Sequence, residues 1–122
     1  MNAELSLTLP EPPSANRYWR HAKGRTYLSA EAKSFRLAVG VAVRQIDWPL
    51  FGPFMAGDLG LTYTWYRGRK SGDLDNRTKQ LLDALQGCVY TDDSQIIEIH
   101  AYRKDAPRCA RVDVCIYHAT AA

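Results

Sequence analysis

Residues 59–85 read LGLTYTWYRGRKSGDLDNRTKQLLDAL, and three patterns follow one another along them. Leu59, Leu61, Tyr63 and Trp65 alternate with small or polar residues, the period of a strand with one buried face. Arg67-Gly-Arg-Lys-Ser-Gly72 is a basic turn. Asp73-Leu-Asp-Asn76 then opens a helix, with an Asp or Asn suited to cap it. Leu81, Leu82 and Leu85 turn toward a core, and Gly87 marks the stop.

The flanks complete the frame. Leu5-Ser-Leu-Thr-Leu9 alternates as a strand, ended by Pro10, Pro12 and Pro13, and a loop follows over Ser14–Leu28. Ser29 is a natural N-cap, after which Ala32, Phe35, Val39, Ala42, Val43 and Ile46 keep helical spacing until Trp48-Pro49. Gly52, Pro53 and Gly57 mark a turn. Beyond the quoted stretch, Val89-Tyr90 is short and extended, and Thr91-Asp-Asp-Ser94 reads as a turn. Ile97, Ile99 and Ala101 alternate, Asp105-Ala-Pro107 turns the chain, and Val112, Val114 and Ile116 form the last strand. The order β-α-β-α-β-β predicts an α+β fold: a single mixed sheet of about four strands with two main helices packed on it, in one domain over 1–122.

With 122 residues, 46% of them hydrophobic, the chain has enough material for a core. No apolar run is long enough to span a membrane, and Met1–Pro13 lacks the layout of a signal peptide, so a cytoplasmic location is expected. Cys88, Cys109 and Cys115 are odd in number and lack CxxC spacing, which argues against a disulfide framework or a zinc site. The net charge is only +3, but its distribution is uneven. Arg17, Arg20, Lys23, Arg25, Lys33 and Arg36 surround one acid, Glu31, and Arg67, Arg69 and Lys70 have none among them. Many acids lie between Asp73 and Asp93. A basic surface around an acidic focus suits a polyanion that must meet a metal.

Asp73 and Asp75, two apart, point the same way if the segment is extended there. Carboxylates on one side suit a hard cation such as Mg²⁺, and phosphodiester hydrolysis uses such a cation. A third carboxylate is available from Asp92 or Asp93. Lys79 lies four residues after Asp75 and four before Asp83, so all three share a helix face; Lys79 is placed to meet a metal-bound carboxylate, a phosphate, or simply an i,i+4 partner. An EF-hand starting at Asp73 fails, because Thr78 and Ala84 stand where Gly and Glu are required. A phosphatase-type DxD is disfavoured by the basic turn between it and the strand.

Taken in order, Pro13-Ser-Ala-Asn-Arg-Tyr-Trp-Arg-His21, Gly24-Arg-Thr26, Gly72-Asp-Leu-Asp-Asn-Arg-Thr-Lys79, Asp83-Ala-Leu85 and Thr91-Asp-Asp-Ser-Gln-Ile96 resemble the RusA family of Holliday junction resolvases. The resemblance runs from about residue 5 to the last strand. It implies a Mg²⁺-dependent endodeoxyribonuclease, with Mn²⁺ a substitute, that cuts four-way junctions by paired nicks in recombination and repair. It implies metal carboxylates at Asp73, Asp75 and Asp93, a functional lysine at Lys79, a homodimer, and an origin compatible with a prophage. The helix end at Gln86-Gly-Cys88 is short, so Asp92 stays open as the third ligand. The alternative function is a junction-binding protein that does not cleave.

DNA contacts are expected from Arg17, Arg20, Lys23, Arg25, Arg67, Arg69 and Lys70. Tyr18 and Trp19 fit either base stacking at a junction or packing beneath a loop. A dimer also follows from symmetry, since a junction offers two cut points and one chain carries one acidic cluster. The apolar stretch of Trp48, Leu50, Phe51, Phe54 and Met55 offers material for an interface or for covering the sheet.

Overall fold

The computed structural model describes residues 4–46, 54–70 and 74–119. The Trp48–Phe51 cluster, the Gly52-Pro53 turn and Asp73 lie outside these residues, as do the side chains of Asp75 and Asn76. The elements in chain order are β1 (Glu4–Leu9), α1 (Ala15–Tyr18), β2 (Trp19–Ala22), β3 (Arg25–Leu28), α2 (Ala30–Arg44), β4 (Leu59–Arg67), α3 (Asp75–Leu85), a 3-10 turn (Asp93–Gln95), β5 (Ile96–Asp105) and β6 (Arg111–His118).

Four strands form the expected mixed sheet in the order β1-β6-β4-β5. β6 runs antiparallel to both β1 and β4, while β5 runs parallel to β4. That parallel pair requires a crossover, and α3 is the crossover. The alternation read in the sequence is the alternation of faces. Leu5, Leu7, Leu9, Leu61, Tyr63, Trp65, Val112, Val114 and Ile116 are buried. They meet Phe35, Val39 and Val43 of α2 and Leu81, Ala84 and Leu85 of α3 in one core. Ser29 caps α2 as expected, its hydroxyl accepting from the Ala32 N–H at 3.1 Å. Gly87, at φ +83°, ends the chain's run through α3.

Two expectations are corrected. The loop foreseen at 14–28 contains a helical turn and an antiparallel hairpin, β2–β3; its residues are nearly all exposed, so burial imprints no alternation on them. Among the described residues no side chain caps α3, and Asp73, the capping candidate before Leu74, lies outside them. Leu74 has helical dihedrals (φ −59°, ψ −44°), so the extended geometry foreseen for 73–75 fails at its centre. The start of α3 is held instead by tertiary contact: the buried Tyr63 of β4 hydrogen-bonds Thr78 and donates to the Leu74 carbonyl. Of the apolar stretch before β4, Met55 is buried and Phe54 is exposed. All three cysteines are free. No helix among the described residues is long and apolar enough to cross a membrane.

Candidate active site and nucleic-acid interface

Lys79 is the hub of the acidic side. Its ammonium lies 3.1 Å from Asp83 and 3.4 Å from Asp93. The first is the i,i+4 pair legible in the sequence; the second joins α3 to the turn before β5. The Asp83 hydrogen bond and charge, with help from Asp93, raise the Lys79 pKa, so the ammonium stays protonated. Asp75 begins α3 one turn before Lys79, and its side chain lies outside the described residues. Among the described residues no three Asp, Glu, His or Cys side chains form a metal-binding group.

Asp92 and Asp93 do different work. The Asp92 carboxylate caps the 3-10 turn by accepting from the Ser94 N–H at 2.9 Å, and that bond holds its carboxyl below the usual range. Asp93 turns its carboxylate to Lys79. Two glutamines that the sequence reading passed over set this placement. Gln95 accepts from the Thr91 and Asp92 N–H groups and donates to the Met55 and Gly57 carbonyls. Gln86, at the end of α3, accepts from the Asp93 N–H at 3.1 Å. The acidic turn is thereby tied both to α3 and to the segment entering β4. The only sequence signal was the capping-box spacing from Asp92 to Gln95.

Gln95→Ala removes all four bonds. Solvent replaces part of them, so a stability loss of about 2 kcal/mol is expected from a net worth of about 1 kcal/mol per bond. Urea melts measure it; a loss under about 0.5 kcal/mol would show that water serves these groups equally well.

On the basic side, the structure sorts the predicted DNA contacts. Arg20, Lys23 and Arg25 stand on the exposed β2–β3 hairpin, with Arg20 3.7 Å from Glu31. Arg69 and Lys70 are exposed after β4. Arg67 differs: its side chain is only 12% exposed and is ion-paired with Asp105, so it braces the end of β4 against β5. Tyr18 is buried, which favours packing over stacking for that residue, whereas Trp19 is exposed. His21 hydrogen-bonds Thr26 within the hairpin at 2.9 Å.

A groove of about 1070 Å³ runs between the 10–14 segment, the start of α2 and the end of β4, and brings together Arg17, Arg69 and Arg77. Arg77 was not foreseen. Its guanidinium lies 4.5 Å from the centre of the buried Trp65 ring and donates to the Pro12 carbonyl. Burial lowers its pKa, opposed by Glu11. Glu11 in turn accepts from Trp65 Nε1 at 2.8 Å and from the Gly68 N–H at 3.2 Å. The proline-rich segment is thus fastened to the root of the basic turn, which holds Arg17 and Arg69 on one groove.

Comparison with known proteins shows the family. The family model described as Endodeoxyribonuclease RusA matches residues 10–117. A protein of Escherichia coli (strain K12) named crossover junction endodeoxyribonuclease RusA is 33% identical over 113 residues, covering 91% of this chain and 92% of that protein. The protein of that name from Shigella sonnei matches to the same extent. That of Enterobacteria phage 82 is 32% identical over 112 residues, covering 90% and 91%. On a match of this length and breadth, the chain belongs to the RusA family of endodeoxyribonucleases.

Proposed function

We propose that this chain resolves four-way DNA junctions as a homodimeric, structure-selective endodeoxyribonuclease, with Asp73, Asp75 and Asp93 holding a divalent cation, Mg²⁺ or Mn²⁺. The observation that carries the reading is the near full-length match to relatives named for crossover junction cleavage. The phage 82 relative supports a prophage origin. The donor chemistry fits a hard cation: the proposed ligands are all carboxylates, and the Asp93 side chain remains one-third exposed beside Lys79. Held by Asp73, Asp75 and Asp93, a cation would supply Lewis acidity to the scissile phosphodiester and offset charge in its transition state.

The chain's own groups do the rest. Lys79, kept protonated by its two acids, supplies positive charge beside the acidic cluster. Arg17 and Arg69 on the groove, with Lys70 and the hairpin cations, hold phosphates and position the strand. The test is a nicking assay on a synthetic four-way junction. Paired nicks are expected with Mg²⁺ or Mn²⁺ and none with EDTA. Cutting that survives EDTA overturns the cation reading, and junction binding without cutting under any divalent ion overturns the nuclease reading. Light scattering at micromolar concentration is expected to give about twice the 13.8 kDa chain mass; a monomer that makes both nicks in one encounter refutes the dimer.

A further inference from the structure

The β2–β3 hairpin is built as a projecting tool. Its foot is fixed: Tyr18 and Ser29 are both buried, the Ser29 N–H donates to the Tyr18 carbonyl at 2.9 Å, and the Ser29 hydroxyl donates to the Arg17 carbonyl. Its tip is the tight turn Lys23-Gly24, both at positive φ, +50° and +72°. That geometry matches the twist of the flanking strands. Between foot and tip every residue but the half-buried Leu28 is exposed. An isolated pair of strands is marginal in water, so large apolar side chains on one call for a function.

Two such side chains are present, Trp19 at 44% and Tyr27 at 46% exposure. The register opposes Trp19 to Leu28 and Arg20 to Tyr27. Opposed residues share a face and neighbours alternate, so Trp19 and Tyr27 lie on opposite faces of the ribbon. Arg20, Lys23 and Arg25 accompany them, and no acid occurs from Pro12 to Ala30. One aromatic per face with cations around both is a two-sided stacking wedge for a polyanion.

We propose that this ribbon enters the branch point of the DNA, where Trp19 and Tyr27 stack on base-pair ends on its two sides while Arg20, Lys23 and Arg25 meet phosphates. The proposal rests on the reading of the chain as a junction nuclease and adds the source of its structure selectivity. Inside a linear duplex every base face is covered by its neighbour, leaving only edges in the grooves. An opened branch point exposes base faces on either side. The aromatic contacts therefore act on branched DNA alone, whereas the cations act on both forms.

The experiment compares Trp19→Ala, Tyr27→Ala and their double variant with Lys23→Ala/Arg25→Ala, all in the full-length protein. Fluorescence anisotropy measures binding to a labelled four-way junction and to a linear duplex of the same sequence. Each aromatic variant is expected to weaken junction binding by about 10-fold, within the range of base–aromatic stacking, and duplex binding by less than about 2-fold. The cation variant is expected to weaken both alike and to flatten the salt dependence. Equal loss on both DNAs, or no loss, in the aromatic variants overturns the proposal. Should Trp19→Ala lower the melting temperature, through its edge contact with the Tyr18 ring, Tyr27→Ala decides alone. A wild-type protein that does not prefer the junction refutes the nuclease reading itself; a preference kept by every aromatic variant refutes only the wedge.

Discussion

Asp75→Asn leaves four-way junctions bound and uncut. The substitution keeps the size of the side chain and removes its charge at the first residue of α3. The proposed DNA contacts are basic residues, none of which changes, so junction binding measured in Ca²⁺ is expected to stay within about 2-fold. Cleavage loses a proposed cation ligand. A single-turnover rate at least about 10³-fold lower is expected, equivalent to about 4 kcal/mol of barrier at 1.36 kcal/mol per decade. Asp92→Asn is the contrasting variant. Its carboxylate caps the 3-10 turn, so a modest stability change with near-normal cutting is expected. Cutting that persists in Asp75→Asn removes Asp75 from the site; binding that falls in step with cutting makes it a structural residue.

Trp65→Ala carries the largest expected cost to the fold. The ring is fully buried in β4, bonded through Nε1 to Glu11 and covered by the Arg77 guanidinium. Truncation leaves a cavity, a carboxylate that keeps only its Gly68 N–H bond, and a cation without its π partner. A loss of about 3–5 kcal/mol is expected from burial of this size, which takes much of a small domain's stability. Trp65→Phe keeps a ring beneath Arg77, forfeits the Glu11 bond and leaves a smaller cavity, so part of that loss is restored. Urea melts of the two variants check the account, and a Trp65→Ala loss under about 1 kcal/mol refutes it.

The parts of the fold legible in the sequence are those on which burial leaves a period. Leu5, Leu7 and Leu9, then Leu59 through Trp65, then Val112 through Ile116, alternate because one face of the sheet is covered. Phe35, Val39 and Val43 repeat because one side of α2 is. The hairpin escaped because its residues are nearly all exposed. Ile97 and Ile99 were read correctly as strand residues, yet both are substantially exposed, since β5 forms an edge of the sheet. At the site, the Lys79–Asp83 pair followed from helix spacing. Gln86, Gln95, Glu11 and Arg77 did not, because their partners are backbone groups or residues far along the chain, and such bonds have no period.

The pairing of β1 with β6 has a consequence for the way this protein is made. Among the described residues β1 has no strand neighbour other than β6, and its register runs from Glu4 opposite Tyr117 to Leu9 opposite Val112. The Thr8–Asp113 hydrogen bond closes a separation of 105 residues. On a ribosome the first strand therefore emerges long before its partner exists, and Leu5, Leu7 and Leu9 wait unpaired while the residues between β1 and β6 are made. The sheet's closing step waits for β6, across a loop whose closure costs entropy, and until then an exposed apolar strand is open to capture by chaperones or by another copy.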